Sequence, residues 1–138
     1  MVQVSAVYEG DLHCRISHGP SGQAIGTDAP TDNGGRGEAF SPTDLVAAAL
    51  GSCILTTMGL VAARHQIDLR QTSAVVRKEM TAAPRRIAKL PVTVTFRREF
   101  SEQERRLLEG AALSCPVHRS LGSDVDAPVE FVYPSATG

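Results

Sequence analysis

The chain has 138 residues, 42% of them hydrophobic and 21% charged, which is ordinary for one soluble globular domain. Its 14 basic and 15 acidic residues leave a net charge of −1, so neither nucleic acid nor a membrane is an expected partner. Aromatic residues make up only 4% and Trp is absent, which argues against a surface that stacks on bases. We expect residues 1–138 to form a single domain.

The first residues and the cysteine count predict a cytoplasmic protein. Residues 1–11 lack the basic segment followed by an apolar run that is typical of a signal peptide. The three cysteines are an odd number and do not make a disulfide framework, so a reducing compartment is expected.

The N-terminal segment predicts a β-hairpin followed by a loop. Side chains alternate along residues 2–8, and a turn at residues 9–11 leads to a second strand at residues 12–16. A short third strand is predicted at residues 23–27. Residues 27–37 are rich in Gly, Pro, Asp and Asn and predict a loop, a place where functional residues are often found.

The segment from Ser41 to His65 predicts a long helix that is buried on all sides. Ser41 suits the N-cap, Pro42 suits the first helical position, and Asp44 is favourable near the start of the helix dipole. Residues 45–63 are 19 residues without a charge, long enough to span a membrane at about 1.5 Å per residue. Because Ser, Thr and Gly dilute this run and no basic loop flanks it, we predict a core helix instead.

A chain of this length has difficulty in enclosing such a helix by itself. A second subunit could supply the missing cover, so the helix already suggests a dimer.

The second half of the chain predicts further strands around a second helix. A capping box formed by Ser101 and Glu104 begins this helix, which is expected to end at Ser114 or Cys115. The predicted strands are residues 72–80, 90–100 and 126–134. Strands that cluster and have short connections indicate an α+β fold with largely antiparallel pairing.

Cys53 and Cys115 are the strongest candidates for residues that carry out chemistry. Pro116 suits a first helical position, so Cys115 is a candidate N-cap whose nearby amide groups would favour a thiolate. His118 and Arg119, one turn away, would have the same effect. Thiol redox chemistry needs an attacking thiolate, a cation that keeps it ionised and a second thiol that resolves the sulfenic acid.

Several ordinary interpretations of these residues stay open. Either cysteine could simply be packed in the core. Cys53, in the middle of its helix, would need an arginine from elsewhere, and Arg15 and Arg36 are the candidates unless they are surface residues. Cys14, on a strand, is expected to be a bystander.

Two motifs resemble those of the osmotically inducible protein C and organic hydroperoxide resistance (OsmC/Ohr) family. They are SPTDLVAAALGSC at residues 41–53 and CPVHRSL at residues 115–121. The Glu-Gly-Asp turn at residues 9–11 and the Gly-rich loop before the long helix agree with this resemblance, which covers nearly the whole chain.

The resemblance implies an intertwined α+β homodimer, in which long central helices pack between antiparallel sheets and the active site is shared across the interface. It implies a thiol-dependent peroxidase for organic hydroperoxides, with a role in oxidative stress defence. Cys53 would be the peroxidatic thiol and Cys115 would resolve it to a disulfide. No cofactor is implied beyond an external dithiol reductant, which in this family is often a lipoylated protein.

In this mechanism Arg15 or Arg36 would hold the Cys53 thiolate. Its apolar neighbours Leu50, Ile54 and Met58 would bind the substrate and favour an alkyl hydroperoxide over hydrogen peroxide. The chain departs from well-studied peroxidases of the family at one position. Thr43 stands where they have a Glu that helps to fix the catalytic Arg.

Two other functions compete with this hypothesis. A catalytically weak or inactive dimer could bind a small apolar ligand between its helices. A metal could be bound by Cys115 and His118, which have the spacing of ligands, together with Cys14, His13 and His18. Because only half of a metal-binding motif is present, we predict no metal.

Overall fold

The computed structural model of the protein describes residues 1–135. The chain forms two compact units, Met1–Val46 and Ala47–Gly138. The expectation that residues 1–138 behave as one domain stays a prediction.

The N-terminal unit contains a three-stranded antiparallel sheet in the order β1-β2-β3. The strands are β1 (Val4–Gly10), β2 (His13–His18) and β3 (Ala24–Asp28). The tight turn between β1 and β2 places Asp11 and Leu12 at positive φ, 54° and 59°. The hairpin and the third strand predicted from the sequence are both confirmed.

The sheet of the N-terminal unit carries exposed apolar side chains on both faces. Val4 and Val7, which point to opposite faces of β1, are 59% and 61% exposed. Tyr8 and Ile25 are also exposed. A small sheet that leaves apolar side chains exposed on both faces lacks a complete core of its own.

The loop after β3 folds back on itself, with close contacts between its own main-chain segments. It contains a short 3-10 helix, Thr31–Asn33, and a close approach of Gly35 to Ala29. A Cβ atom at position 35 would lie 1.9 Å from the carbonyl oxygen of Ala29, so only glycine fits there.

The long helix α1 (Pro42–Arg64) begins at the predicted cap. Ser41 Oγ accepts a hydrogen bond from Asp44 N at 3.0 Å, and Asp44 Oδ2 accepts one from Ser41 N at 2.9 Å. Two otherwise unpaired amide groups are satisfied in this way, which fixes the start of the helix.

A single chain leaves much of α1 exposed, as expected of a chain this short, and burial of the helix on all sides stays a prediction. Only 28% of the most apolar part of α1 is buried. The mean hydropathy of this part is 2.0, and by length and hydropathy alone the helix would suit a membrane span as well as a protein core. The buried face consists of Ala47, Leu50, Gly51, Ile54, Met58 and Ala62. The exposed face has no charged residue between Ala48 and Ala63, and includes Leu60 with 58% exposure.

The C-terminal unit contains a mixed sheet and a separate hairpin. Its strands are β4 (Ser73–Val76), β5 (Glu79–Ala82), β6 (Arg85–Lys89), β7 (Val92–Thr95) and β8 (Val129–Val132). The sheet order is β4-β7-β8, and β5 pairs with β6. Strand β4 is antiparallel to β7, whereas β7 and β8 are parallel. Largely antiparallel pairing is therefore confirmed, with one parallel exception.

Three strand boundaries differ from the prediction. The strand predicted at residues 72–80 is interrupted after Val76, because its partner strand presents Pro91 next. Arg77 N donates a hydrogen bond to Pro91 O at 3.0 Å. Pro91 has no N–H with which to donate the second hydrogen bond of an antiparallel pair. The strand predicted at residues 90–100 ends at Thr95, and β8 is shorter than the 126–134 predicted. Strand β6 was missed because its sequence, RRIAK, lacks clear alternation.

The core of the C-terminal unit lies where the alternation of β7 predicts it. Val92, Val94 and Phe96 are each at most 2% exposed, and the Phe96 ring stacks on Tyr133 with centroids 4.5 Å apart. Helix α2 (Glu102–Leu113) buries Leu108, Ala111 and Ala112. The predicted α+β fold is thus confirmed.

Substitution of Ser101 tests the capping box that begins α2. Ser101 Oγ accepts from Glu104 N at 3.1 Å, and Glu104 Oε1 accepts from Ser101 N at 2.9 Å. We expect Ser101→Ala to lower the free energy of unfolding by about 1 kcal/mol in urea denaturation, because one amide loses its partner. Ser101→Asp should retain most of the stability. Equal stabilities for Ser101→Ala and for the exposed turn variant Ser123→Ala would contradict this role.

Candidate active site

Helix α3 (Pro116–Ser120) follows α2 directly and begins at Cys115. Cys115 is the N-cap, with extended backbone angles (φ −56°, ψ 127°), and Pro116 occupies the first turn. The Cys115 sulfur accepts a hydrogen bond from His118 N at 3.5 Å and is fully buried. The predicted N-cap position of Cys115 is confirmed.

Cys53 lies on α1 at the edge of its buried face and is half-buried. Thr57 stands one turn later, the spacing at which helical side chains meet. Its hydroxyl donates to Cys53 O at 2.8 Å, and its oxygen lies 3.9 Å from the Cys53 sulfur. Sequence reasoning missed Thr57, although its i, i+4 spacing from Cys53 was a usable signal.

Cys53 and Cys115 lie side by side within the C-terminal unit. The two sulfurs are close enough that each shifts the pKa of the other, and the Val117 main-chain N–H at the start of α3 lowers the pKa of both thiols. All three cysteines of the chain are free thiols. A main-chain donor leaves no pattern of side chains, so the role of Val117 could not be predicted from the sequence.

The two thiols have opposite tendencies to ionise. Burial opposes a charge on Cys53, but hydrogen bonds from the Cys115 thiol, Val117 N–H and the Thr57 hydroxyl outweigh it and lower the pKa of Cys53. Burial, and then the hydrogen bond that it donates to Cys53, raise the pKa of Cys115. The His118 and Val117 amides at the start of α3 do lower the pKa of Cys115, as expected, but burial and Cys53 outweigh them. The thiolate is favoured at Cys53.

His118 acts on Cys115 through its main chain. Its imidazole Nε2 lies 2.8 Å from Ala127 O, and because a carbonyl only accepts, Nε2 carries the proton. Arg119 is exposed, and its predicted effect on a thiolate stays a prediction.

Arg15 and Arg36 both belong to the N-terminal unit. Arg15 is exposed on β2, between Val7 and Gly26 of the neighbouring strands. Arg36 is exposed in the loop after β3. The role of either residue beside Cys53 stays a prediction.

Leu50, Ile54 and Met58 are fully buried on the core face of α1. Within one chain they therefore have a packing role. Their contact with a substrate stays a prediction.

The histidines of the N-terminal hairpin have partners in their own unit. His13 Nδ1 lies 2.6 Å from Oδ1 of the buried Asp28, whose Oδ2 accepts from Glu38 N at 3.1 Å. His18 Nδ1 lies 2.6 Å from Ser21 Oγ. Within residues 1–135, no group of three or more His, Cys, Asp or Glu side chains is placed to hold a metal ion.

The pH dependence of alkylation tests the unequal ionisation of the two thiols. Iodoacetamide reacts with thiolates, so in a Cys14→Ser background we expect Cys53 to be alkylated at a lower pH than Cys115. Initial rates for each cysteine are measured by peptide mass spectrometry. Thr57→Val should move the Cys53 profile to higher pH, whereas Thr57→Ser should not. In urea the two profiles should converge, and earlier alkylation of Cys115 would contradict the assignment.

The comparisons with known proteins agree with this arrangement. The model of the OsmC-like protein family matches residues 35–130, which contain both cysteines. No curated protein matches the chain.

Solved structures resemble nearly the whole chain. An osmotic stress induced and detoxification response protein of Psychrobacter arcticus is 41% identical, with a TM-score of 0.90 over 95% of this chain and 96% of that one. The organic hydroperoxide resistance protein OsmC of Legionella pneumophila is 20% identical (TM-score 0.73, 96% of each chain). OhrB of Bacillus subtilis is 18% identical (TM-score 0.68, 95% and 97%).

The Legionella and Bacillus structures show only that the fold is shared. The family match and the Psychrobacter protein support the assignment to a family. From the paired cysteines, the fold and these matches, we conclude that the chain belongs to the OsmC family.

Proposed function

We propose that the protein is a two-cysteine thiol peroxidase that reduces organic hydroperoxides. The observation that carries the proposal is the adjacent thiol pair, in which Cys53 is favoured as the thiolate and Cys115 as the thiol. A peroxidase of this kind needs both states at once, because one sulfur attacks and the other later condenses.

The reaction begins when the Cys53 thiolate attacks one oxygen of the hydroperoxide. The O–O bond breaks, the alkoxide takes up a proton and leaves as an alcohol, and Cys53 becomes a sulfenic acid. Cys115 then attacks the oxidised sulfur, water leaves, and a Cys53–Cys115 disulfide forms. An external dithiol exchanges with this disulfide and returns both thiols to the reduced state.

Three groups of the C-terminal unit would prepare Cys53 for attack. Val117 N–H, the Cys115 thiol and the Thr57 hydroxyl stabilise its negative charge. Arg15 or Arg36 would add a positive charge at the oxygen atoms during O–O cleavage. Thr43 occupies the position of the glutamate that orients such an arginine in related peroxidases, so any orientation here must come from other contacts.

The substrate and the reductant follow from the same proposal. Apolar residues of α1, among them Leu50, Ile54 and Met58, would favour an alkyl hydroperoxide. The names of the Legionella and Bacillus proteins, which refer to organic hydroperoxide resistance, support this class of substrate. The reductant would be a small dithiol or a lipoyl-type group, and a reducing cytoplasm would keep the pair reduced.

Stoichiometric oxidation tests the peroxidase proposal. We expect about one equivalent of an alkyl hydroperoxide to remove two hydrogen atoms from the reduced protein, a loss of about 2 Da, with a Cys53–Cys115 crosslink in the peptide map. The Cys115→Ser variant should stop at the sulfenic acid, which dimedone traps at Cys53.

The controls for this experiment are Cys53→Ser and Cys14→Ser. The first should not consume hydroperoxide, and the second should react as the unmodified protein does. Unchanged thiols in the unmodified protein, or oxidation spread over Cys14, would contradict a peroxidase and favour an inactive protein that binds a small apolar ligand.

We further propose that the active form is an intertwined homodimer with the α1 helices packed between the sheets. Two observations support it. The exposed face of α1 is uncharged over five turns, and the β1–β3 sheet exposes Val4, Val7 and Ile25. Exposed apolar side chains that cluster in this way are typical of an interface. An active site shared between subunits would then bring an N-terminal arginine to a Cys53 thiol.

Charge placed on the exposed face of α1 tests the dimer. We expect Leu60→Asp to shift the protein toward monomers in analytical ultracentrifugation, because an aspartate would be buried without a partner. Leu113→Asp is the matched control, since Leu113 is similarly exposed (54%, against 58% for Leu60) but lies on the face of α2 that carries Glu102 and Arg106. The same mass for both variants would contradict this interface.

A further inference from the structure

A cleft lined mainly by arginines lies in the C-terminal unit, formed by residues that the dithiol chemistry does not use. It is an open surface cleft of about 450 Å³ between the segment that follows α1 and the segment that follows β7. We name it the arginine cleft, and its lining residues are Asp68, Arg70, Gln71, Arg97 and Arg98.

The single carboxylate of the cleft is already paired. Arg70 Nε and Nη2 donate to the two oxygens of Asp68, each at 3.0 Å. These hydrogen bonds lower the pKa of Asp68 to about 2, so Asp68 is ionised at neutral pH and neutralises one guanidinium. Two positive charges, those of Arg97 and Arg98, remain in excess.

Arg98 is held in place without a carboxylate of its own. Its Nε donates to Asp68 O at 3.0 Å, its Nη1 donates to Glu99 O at 3.1 Å, and its guanidinium carbon lies 4.2 Å from the centre of the Phe100 ring. The Glu99 carboxylate pairs instead with Arg105 at 3.2 Å. The position of the Arg98 charge is therefore set before any ligand arrives.

Arg97 differs from its neighbours in having no partner. Its side chain is exposed, and within residues 1–135 it forms neither a hydrogen bond nor an ion pair. Two adjacent arginine charges repel each other, and the one carboxylate of the cleft, Asp68, is already paired with Arg70. An anion bound between Arg97 and Arg98 would offset this repulsion.

We propose that the arginine cleft binds a dianionic phosphate group, either as free phosphate or as a phosphate monoester. A guanidinium presents parallel N–H donors that match two phosphate oxygens, and two excess positive charges match a dianion. A volume of about 450 Å³ leaves room for an organic group beside the phosphate. This proposal is independent of the peroxidase proposal.

Calorimetric titration of the reduced protein tests the arginine cleft, with inorganic phosphate and phenyl phosphate as probes at constant ionic strength in NaCl. We expect saturable binding that strengthens between pH 5.5 and pH 8, as each probe loses its second proton (pKa about 6 for a phosphate monoester and higher for inorganic phosphate). Arg97→Gln should weaken it about tenfold, the loss expected for one charge-assisted contact. Arg97→Lys, which keeps the charge but loses the planar fork, should fall in between.

Arg106→Gln is the matched control, because Arg106 is an exposed arginine of the same unit whose partner, Glu102, lies 2.9 Å away. It should change the affinity less than about twofold, and Cys53→Ser should leave it unchanged. Tighter binding of phenyl phosphate would identify a monoester site, and equal binding a site for free phosphate. No binding of either probe, or equal losses in Arg97→Gln and Arg106→Gln, would overturn the proposal.

Discussion

An uncharged helix must be covered by other apolar surface, and most of this structure follows from that constraint. Helix α1 has no charge between Leu45 and Ala63, yet its own chain buries only one face. Cys53 lies at the edge of that face, where a sulfur is shielded from water on one side and accessible on the other. The half-buried position suits a reactive thiol, because complete burial would suppress its ionisation and full exposure would leave it without fixed partners.

The chemistry of the pair depends on two copies of one side chain in unequal surroundings. Cys115 is enclosed where α3 begins, and this burial keeps it protonated so that it donates to Cys53. Cys53 receives this hydrogen bond together with those of Val117 N–H and Thr57. The two thiols thus shift each other's pKa in opposite directions, which favours the thiolate at Cys53 and the thiol at Cys115.

Features set by neighbours in the sequence were predictable, and features set by a distant partner were less so. Both helix caps formed as expected because Ser41 and Ser101 each bond to a residue three positions later. The interruption of the predicted strand after Val76 depended on Pro91 of the opposite strand, which no local pattern reveals. Which face of α1 is buried could not be predicted either, since an all-apolar helix has no polar side from which to infer its orientation.

The family, the α+β class and the two important cysteines could be predicted from residue types alone, because motifs and caps are local patterns of side chains. Which of the two thiols ionises more readily depends on the fold. That outcome rests on burial and on a main-chain donor, neither of which is written in residue types. The fold also brought Arg97 and Arg98 beside Asp68, about thirty positions earlier in the sequence, so that a cleft lined by three arginines contains a single carboxylate. The energy of a charge depends on its distance from other charges and on its burial, and both are set only when the chain has folded.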